Sequence, residues 1–169
     1  NGPIPIVSRK LLNGTANALT RTLDKFFWPE DGVIMFDYDP APGTEPLGKQ
    51  ALIAAIRSLD PQLEKAAMVW RPSASSNIVG EDNKIYTGLR NQRIYIQYTN
   101  PGGMDAFVKN LFMSAWNKGL GYIFITASGA PLERTIFDMA VFSPERLDFA
   151  AGGFCGKGLK KQIIYSNFI

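Results

Sequence analysis

The segment Arg93–Thr99 limits the fold more than any other part of the sequence, because its side chains alternate in character with a period of two. That period is typical of a β-strand with one buried face. The two faces carry different chemistry, one with Ile94, Ile96 and Tyr98 and the other with Arg93, Tyr95 and Gln97. The second face can hold a phosphate and stack a base, although it is equally typical of the solvated side of a half-buried sheet.

Helical and extended patterns alternate on both sides of this strand. Apolar residues at helical spacing predict an N-terminal helix that begins at Asn13 or Thr15 and ends at Pro29. Two further amphipathic segments predict helices around Leu52–Leu59 and Phe107–Trp116. Short apolar runs predict the remaining strands, Val33–Phe36, Ala66–Arg71, Lys84–Thr87, Tyr122–Thr126 and Thr135–Phe142.

The order of these elements contains the unit βαββαβ, which is the split arrangement of ferredoxin-like and RNA-recognition-type folds. We therefore expect an α+β fold in which helices cover one face of a mainly antiparallel sheet and the other face is free for chemistry. The 169 residues suit one domain, and no repeat or linker divides them, so we expect a single domain over residues 1–169. Since residue 1 is not methionine, the chain is expected to be a fragment of a longer protein.

The sequence contains no histidine and a single cysteine, Cys155, and these counts exclude several kinds of chemistry. A Ser-His-Asp triad, a Cys-His pair and a histidine-ligated metal ion are impossible. A metal ion would have to bind carboxylates, which favours Mg²⁺ or Mn²⁺ over zinc. The single cysteine excludes an internal disulfide and fits a reducing compartment, so we expect a cytoplasmic location. No apolar run is long enough to span a membrane, and no membrane partner is expected.

Two carboxylates stand just after the predicted strand Val33–Phe36. Asp37 and Asp39 would share a face on an extended backbone, with their Cα atoms roughly 7 Å apart. Two negative charges at the end of an apolar strand are costly unless a cation lies beside them. Such a pair can hold Mg²⁺ ions for phosphoryl or nucleotidyl transfer, although an Asp-x-Asp sequence also begins many solvated loops.

Two other segments carry groups that suit a phosphate or a metal ion. Asp138 follows Arg134 by four residues, so both would lie on one face of an extended segment. Asp138 can supply a third carboxylate, or the two residues can form a simple ion pair on one face of the strand. The run Ser73–Asn77 offers hydroxyls and backbone N–H groups that suit phosphate binding, although most such runs are plain turns.

Taken together, these segments resemble the archaeo-eukaryotic primase superfamily, and within it the primase-polymerase domains of plasmids, phages and integrated elements. The apolar strand that ends in Asp37-Tyr38-Asp39 is similar to the first motif of that family. The resemblance covers residues 33 to 158, which is most of the chain. The features that follow in the same order are Arg71–Ser76, Arg93–Ile96, Leu132–Asp138 and Ser143–Phe149 with Gly152–Gly153.

The resemblance implies a catalytic RNA-recognition-like βαββαβ core beside a smaller α/β portion. It also implies DNA-templated nucleotidyl transfer, as primer synthesis or DNA polymerisation, with Mg²⁺ or Mn²⁺ as cofactor. The implied catalytic and metal-binding residues are Asp37, Asp39 and Asp138. The implied nucleotide-binding residues are Ser75, Ser76, Arg93 and Arg134. The implied partners are a single-stranded DNA template and primer, nucleoside triphosphates, and a fused or associated helicase.

One departure from the family concerns its second motif, which usually ends in a histidine that contacts the nucleotide phosphate. This chain has no histidine. By its position in front of the alternating strand, Arg93 is the best replacement, because a guanidinium binds phosphate more strongly than a neutral imidazole.

Two other functions remain open on the sequence. A non-catalytic single-stranded nucleic-acid-binding domain can use the same sheet, and the net charge of +3 is compatible with it. Such modules usually carry paired exposed aromatic residues and few acids, so the aspartates favour the enzyme. A replication-initiator domain that reads duplex DNA would need a basic recognition helix, whereas the helix predicted from Met104 to Lys118 contains only Lys109 and Lys118 as basic residues.

Overall fold

A computed structural model describes residues 4–148, 154–162 and 167–169, which form a mixed α+β structure with several small sheets. The α-helices are α1 (Lys49–Arg57), α2 (Pro61–Glu64) and α3 (Met104–Asn117). None of the helices in this part of the chain is long and apolar enough to cross a bilayer. The strands are β1 (Ile6–Val7), β2 (Leu19–Thr20), β3 (Asp31–Tyr38), β4 (Met68–Pro72), β5 (Ile78–Gly80), β6 (Ile85–Thr87), β7 (Gln92–Thr99), β8 (Gly121–Ile125), β9 (Pro131–Thr135), β10 (Leu159–Lys161) and β11 (Asn167–Phe168).

Strand β7 lies at the centre of the largest sheet, whose order is β11-β4-β7-β3 and whose pairs are all antiparallel. It pairs with β3 over its whole length and with β4 over its first five residues. Ile94 lies between Phe36 and Trp70, and all three side chains are buried. The alternation of Arg93–Thr99 therefore predicted both the strand and its buried face correctly.

Two helices bury the inner face of this sheet. Apolar residues that recur every three or four positions place one side of each helix in the core. Helix α3 begins after a turn at Asn100, which has a left-handed backbone and accepts a hydrogen bond from the Gly102 N–H. Asparagine tolerates this conformation better than most residues do. The helical residues that are buried in the core are Leu52, Ile53, Ile56, Met104, Val108, Leu111 and Ala115.

An aromatic cluster attaches the segment after β9 to strand β3. Phe36, Phe137 and Phe142 pack edge to face, with ring centroids 5.0 to 5.6 Å apart. Edge-to-face packing is a favoured geometry for aromatic pairs and adds to the free energy gained from burial. The cluster therefore fixes the position of the residues between Phe137 and Phe142 relative to the sheet.

The predicted N-terminal helix is wrong. Arg9–Gly14 form a 3₁₀ helix, and Leu19–Thr20 pair in parallel with Ile6–Val7. Two of the apolar residues that suggested the helix, Leu23 and Phe27, are 67% and 81% exposed. Since a helix of this length gains most of its stability from burying an apolar face, spacing alone did not suffice.

The predicted strand Thr135–Phe142 is also wrong in its position. The strand β9 ends at Thr135, whose hydroxyl donates to the Phe137 carbonyl. The Asp138 side chain accepts from the Ala140 N–H and caps a 3₁₀ turn. Such local side-chain bonds offer the backbone an alternative to a strand.

The fourth strand of the expected core does not join the main sheet. Strand β8 pairs with β9 in a separate two-stranded hairpin, which turns at Gly129 with φ of 83°. The α+β class is confirmed, whereas the RNA-recognition-like βαββαβ core is not. A further three-stranded sheet, β10-β5-β6, includes a strand, Ile78–Gly80, that the sequence analysis did not predict.

Gln92, the first residue of β7, connects that strand to β4 and to the loop before α1 through buried hydrogen bonds. Its side chain is fully buried, accepts from Trp70 Nε1 at 2.8 Å and donates to the Leu47 carbonyl at 2.6 Å. Both partners would lose their hydrogen bonds without it, and an unpaired buried polar group costs about 1–3 kcal/mol.

We expect Gln92→Leu to lower the free energy of unfolding by about 1–3 kcal/mol, because it leaves the Trp70 N–H and the Leu47 carbonyl unpaired. Chemical denaturation followed by tryptophan fluorescence measures the change. Gln97→Leu, at an exposed position of the same strand, is the control and should change stability much less. Equal effects of the two substitutions would contradict this role of Gln92.

Candidate functional site

Asp37 lies on the face of β3 that points away from the helices. Its neighbours Phe36 and Tyr38 are buried in the core, so the pleat of the strand turns the carboxylate to the opposite side. Strand β3 ends at Tyr38, and Asp39 follows as an exposed residue. The two aspartates nevertheless line the same cavity.

Asp138 lies beside Asp37, although the two are far apart in sequence. The Asp138 N–H donates to the Asp37 carbonyl at 3.0 Å, along the edge of β3 that faces away from β7. All three aspartates line one cavity of about 200 Å³, which we call the carboxylate cavity. The structure therefore places Asp37, Asp39 and Asp138 around one cavity.

The negative charges of this cavity are only partly compensated. Burial raises the pKa of Asp37, the nearby carboxylates of Asp39 and Asp138 raise it further, and the positive charge of Arg93 opposes this rise. The Arg93 Nε lies 3.3 Å from the Asp37 Oδ1. The arginine does not fully offset the cost of holding Asp37 ionised, which is typical of a site where a ligand supplies the missing positive charge.

Arg93 has a second carboxylate partner, which the sequence analysis did not single out. Its Nη1 lies 2.5 Å from the Asp148 Oδ1, and the Tyr95 hydroxyl donates to the Asp148 Oδ2 at 2.7 Å. Burial and this hydrogen bond raise the pKa of Tyr95 to about 12, so the phenol keeps its proton as a donor. Asp148 belongs to the segment Ser143–Phe149, which was noted for its resemblance but received no role.

The same contacts correct the expectation that the helix-free face is open. Residues of the segment 143–148 lie over Val33, Met35 and Tyr95, with a cavity of about 290 Å³ between the two layers. Met35 and Tyr95 are half-buried beneath this segment, whereas Val33 stays exposed. At one end of the face, Asp37 lines a second cavity beside the segment that carries Asp138.

A row of charged residues crosses the three adjacent strands. In the register of the sheet, Arg93 pairs with Asp37 on β3 and with Arg71 on β4. Two arginines directly opposite each other repel, and an anion between them would relieve that repulsion. Arg71 also lowers the pKa of Lys161, for which burial is the main cause. The side of Asp37 that faces β7 and β4 is therefore basic.

The two serines that were assigned to nucleotide binding differ in their accessibility to a ligand. Ser75 is exposed, and its hydroxyl lies 3.0 Å from the Ser73 hydroxyl. Ser76 is fully buried, donates to the Asn91 carbonyl and accepts from the Arg90 N–H. The predicted contact between Ser76 and a nucleotide is thus not available in this structure, and its hydroxyl shapes the loop instead.

Lys161 holds the serine loop from the other side. Its Nζ donates to the carbonyls of Ser73, Ala74 and Ser76 at 2.6, 3.0 and 3.0 Å. This arrangement turns three carbonyl groups towards one ammonium ion and so fixes the backbone of the loop. Nothing in the sequence pattern indicated this contact, because Lys161 lies 85 residues or more after the loop.

Arg134 and Asp138 form the ion pair that their spacing suggested, with Nη1 and Oδ2 3.6 Å apart. Both side chains are more than a third exposed, so the pair contributes little to stability. Arg134 is left with several donors that face the carboxylate cavity, where it is one of the lining residues.

The carboxylate cavity offers the oxygen ligands that a hard divalent cation such as Mg²⁺ or Mn²⁺ prefers. One of these carboxylates, Asp37, also has a negative charge that its neighbours only partly compensate. Among the described residues, however, no three acidic side chains stand close enough to hold a metal ion as they are placed. Arg93 and Arg134 each pair with one of the aspartates. An ion would have to compete with these arginines.

Comparison with known proteins adds no identification. No protein-family model matches the chain, and neither a curated protein nor a solved structure does. Of the segments that suggested a resemblance, Phe149 and Gly152–Gly153 lie outside the described residues.

We expect Asp37→Asn to raise the melting temperature at pH 7. Folding raises the pKa of the Asp37 carboxyl group, so the folded state loses stability as the pH rises and this group ionises. The neutral amide of asparagine does not ionise and avoids this loss. The difference from the unmodified protein should shrink as the pH falls and Asp37 takes up a proton. Thermal unfolding between pH 4 and pH 8 measures it.

Asp31→Asn is the matched control, because Asp31 lies at the exposed start of the same strand. A lower melting temperature for Asp37→Asn than for the unmodified protein at pH 7 would show that the ion pair with Arg93 outweighs the cost of burial.

Proposed function

We propose that this chain is the catalytic domain of a primase-polymerase, which extends or begins a strand by DNA-templated nucleotidyl transfer in the replication of a mobile element. The observation that carries the proposal is the position of Asp138 beside Asp37, at a cavity that Asp39 also lines. Three carboxylates around one cavity repel each other, and a bound cation would relieve that repulsion.

Asp37, Asp39 and Asp138 would hold Mg²⁺ or Mn²⁺ in this proposal. When bound, such ions activate a 3′-hydroxyl and stabilise the charge of a triphosphate and its leaving group. The cavity has room for a hydrated ion and the oxygens of a ligand, since one water molecule occupies about 30 Å³. The aspartates supply the negative charge that attracts the ions, and burial keeps competing water away from Asp37.

The basic side of the cavity would bind the triphosphate. Arg93 presents a planar set of donors that contacts Asp37 and Asp148 in this structure, and Arg71 lies directly across the strand pair. Ser75 can add a hydroxyl from the loop that Lys161 holds, and Arg134 can add charge from the opposite wall. Ser76 supports the loop and does not contact the ligand.

A single-stranded DNA template and primer, nucleoside triphosphates and a fused or associated helicase are the partners that this function requires or favours. We also retain a cytoplasmic location as part of the proposal, because the chain has a single cysteine and hence no internal disulfide.

A primer-extension assay with Mg²⁺ or Mn²⁺ tests the proposal. The unmodified protein should add nucleotides to a primed template, and Asp37→Ala/Asp39→Ala should reduce incorporation at least about 100-fold, because the metal ions would lose two ligands. The same variant should bind single-stranded DNA in EDTA as tightly as the unmodified protein or slightly more tightly, since it repels the phosphates less. Asp31→Ala is the control and should extend the primer normally.

The alternative is a non-catalytic single-stranded nucleic-acid-binding domain. One observation favours it, namely that Arg93 and Arg134 form ion pairs with Asp37 and Asp138, respectively, as in a purely structural arrangement. If the unmodified protein adds no nucleotide with either metal, and yet binds single strands with the usual sensitivity to salt, this alternative replaces the enzyme.

Arg93→Ala should weaken the binding of a nucleoside triphosphate about 10-fold to 150-fold, because a charge-assisted hydrogen bond is worth about 1.5–3 kcal/mol. Arg93→Lys should restore part of that affinity, since it keeps the charge but loses the planar donor set. Calorimetric titration measures both, and Arg90→Ala, at an exposed position near the start of the same strand, is the control. Unchanged affinity in Arg93→Ala would exclude Arg93 as the replacement for the missing histidine.

A further inference from the structure

The hairpin β8–β9 places two aromatic side chains on the wall of the carboxylate cavity. Tyr122 pairs with Arg134 across the hairpin, and Phe124 pairs with Leu132, so these residues share one face. Tyr122, Phe124 and Arg134 line the cavity together with the three aspartates. The opposite face of the hairpin carries Ile123, which is 51% exposed.

Packing does not account for these two aromatic residues. Among the residues that the structure describes, the hydrophobic core and the partly buried side chains packed against it include neither Tyr122 nor Phe124. Both side chains are half-buried at a charged cavity. Partial burial raises the pKa of Tyr122, while Arg134 lowers it and Asp39 raises it, so charges of both signs act on this ring. An aromatic face next to a basic side chain is the chemistry that binds a nucleobase and its phosphate.

The hairpin and the basic residues lie on opposite sides of Asp37. The basic residues Arg93 and Arg71 lie on β7 and β4, on one side of Asp37. The segment that carries Asp138 lies along the other edge of β3, and the hairpin strands precede it on that side. In nucleotidyl transfer the attacking oxygen and the leaving group lie roughly in line on opposite sides of the reacting phosphorus.

We propose that Tyr122 and Phe124 form a stacking platform for the 3′-terminal base of a single-stranded nucleic acid. The inference rests on the proposed function, in which the triphosphate binds on the basic side of the cavity. The strand that is extended would then bind on the aromatic side. Stacking on an aromatic ring accepts any base, which suits a site that must hold whatever nucleotide was added last.

The test uses single strands that carry the fluorescent base 2-aminopurine at the 3′ terminus, in EDTA and without triphosphate. The unmodified protein should quench this probe strongly and should quench a strand with the same base at an internal position much less. Since these two measurements need no variant, they remain decisive even if a substitution impairs folding. Equal quenching of the two strands would overturn the assignment to the 3′ end.

Variants then identify the residues. Tyr122→Leu and Phe124→Leu should each lose most of the quenching and bind the strand between about 5-fold and about 100-fold more weakly. Tyr122→Phe keeps the ring and should behave as the unmodified protein does. Ile123→Ala, on the outer face of the same strand, is the matched control and should leave both quantities unchanged. Unchanged quenching in both leucine variants, with normal thermal unfolding, would overturn the platform.

A further arm separates the strand end from the incoming nucleotide. The triphosphate of 2-aminopurine deoxyriboside should bind without quenching by Tyr122 and Phe124. Quenching that is lost when these residues are substituted would show that they stack on the incoming base, and would overturn the proposal. If primer extension fails but quenching at the 3′ end depends on both rings, the platform stands and the enzyme does not. If extension succeeds and quenching is insensitive to both rings, the enzyme stands and the platform does not.

Discussion

The register of β7 against its two neighbours is the constraint on which the candidate site depends. Side chains alternate along a strand, so a slip of one residue would carry Arg93 into the core and Ile94 to the outer face. Burial of Ile94 between Phe36 and Trp70 makes such a slip costly. The apolar side of the sheet therefore determines where the charges on its other side lie.

Sequence patterns correctly predicted the elements in which apolar residues recur at regular spacing and are buried on one face. The alternation of Arg93–Thr99 and the helical spacing of the apolar residues in α1 and α3 each identify an element together with its buried face. The N-terminal helix fails the same reasoning because Leu23 and Phe27 find no surface to bury them. The second strand of the hairpin β8–β9 was predicted too late in the chain, at Thr135–Phe142, because hydrogen bonds of Thr135 and Asp138 to nearby backbone outweigh the extended tendency of that segment.

Residues of the candidate site could be predicted only where their spacing along a strand or their place in a known order of motifs pointed to them. Asp37 and Asp138 were identified in this way, and they lie side by side. Asp148 and Lys161 could not be, because their contacts depend on how a later segment returns over the sheet. Ser76 shows the reverse error, since a hydroxyl in a serine run is buried and bonded within the protein.

Two arrangements of charge compete at the carboxylate cavity, and their balance determines what the protein can do. In one, Arg93 lies between Asp37 and Asp148, and the protein satisfies its own charges. In the other, a cation takes the aspartates and an anion takes the arginine. The raised pKa of Asp37 indicates that the first arrangement leaves a cost, because Arg93 does not fully offset the burial of Asp37 and the added negative charge of Asp39 and Asp138. A ligand that brings both a metal ion and a phosphate would compensate the charge of the aspartates and would also bind the arginine that the cation displaces from Asp37.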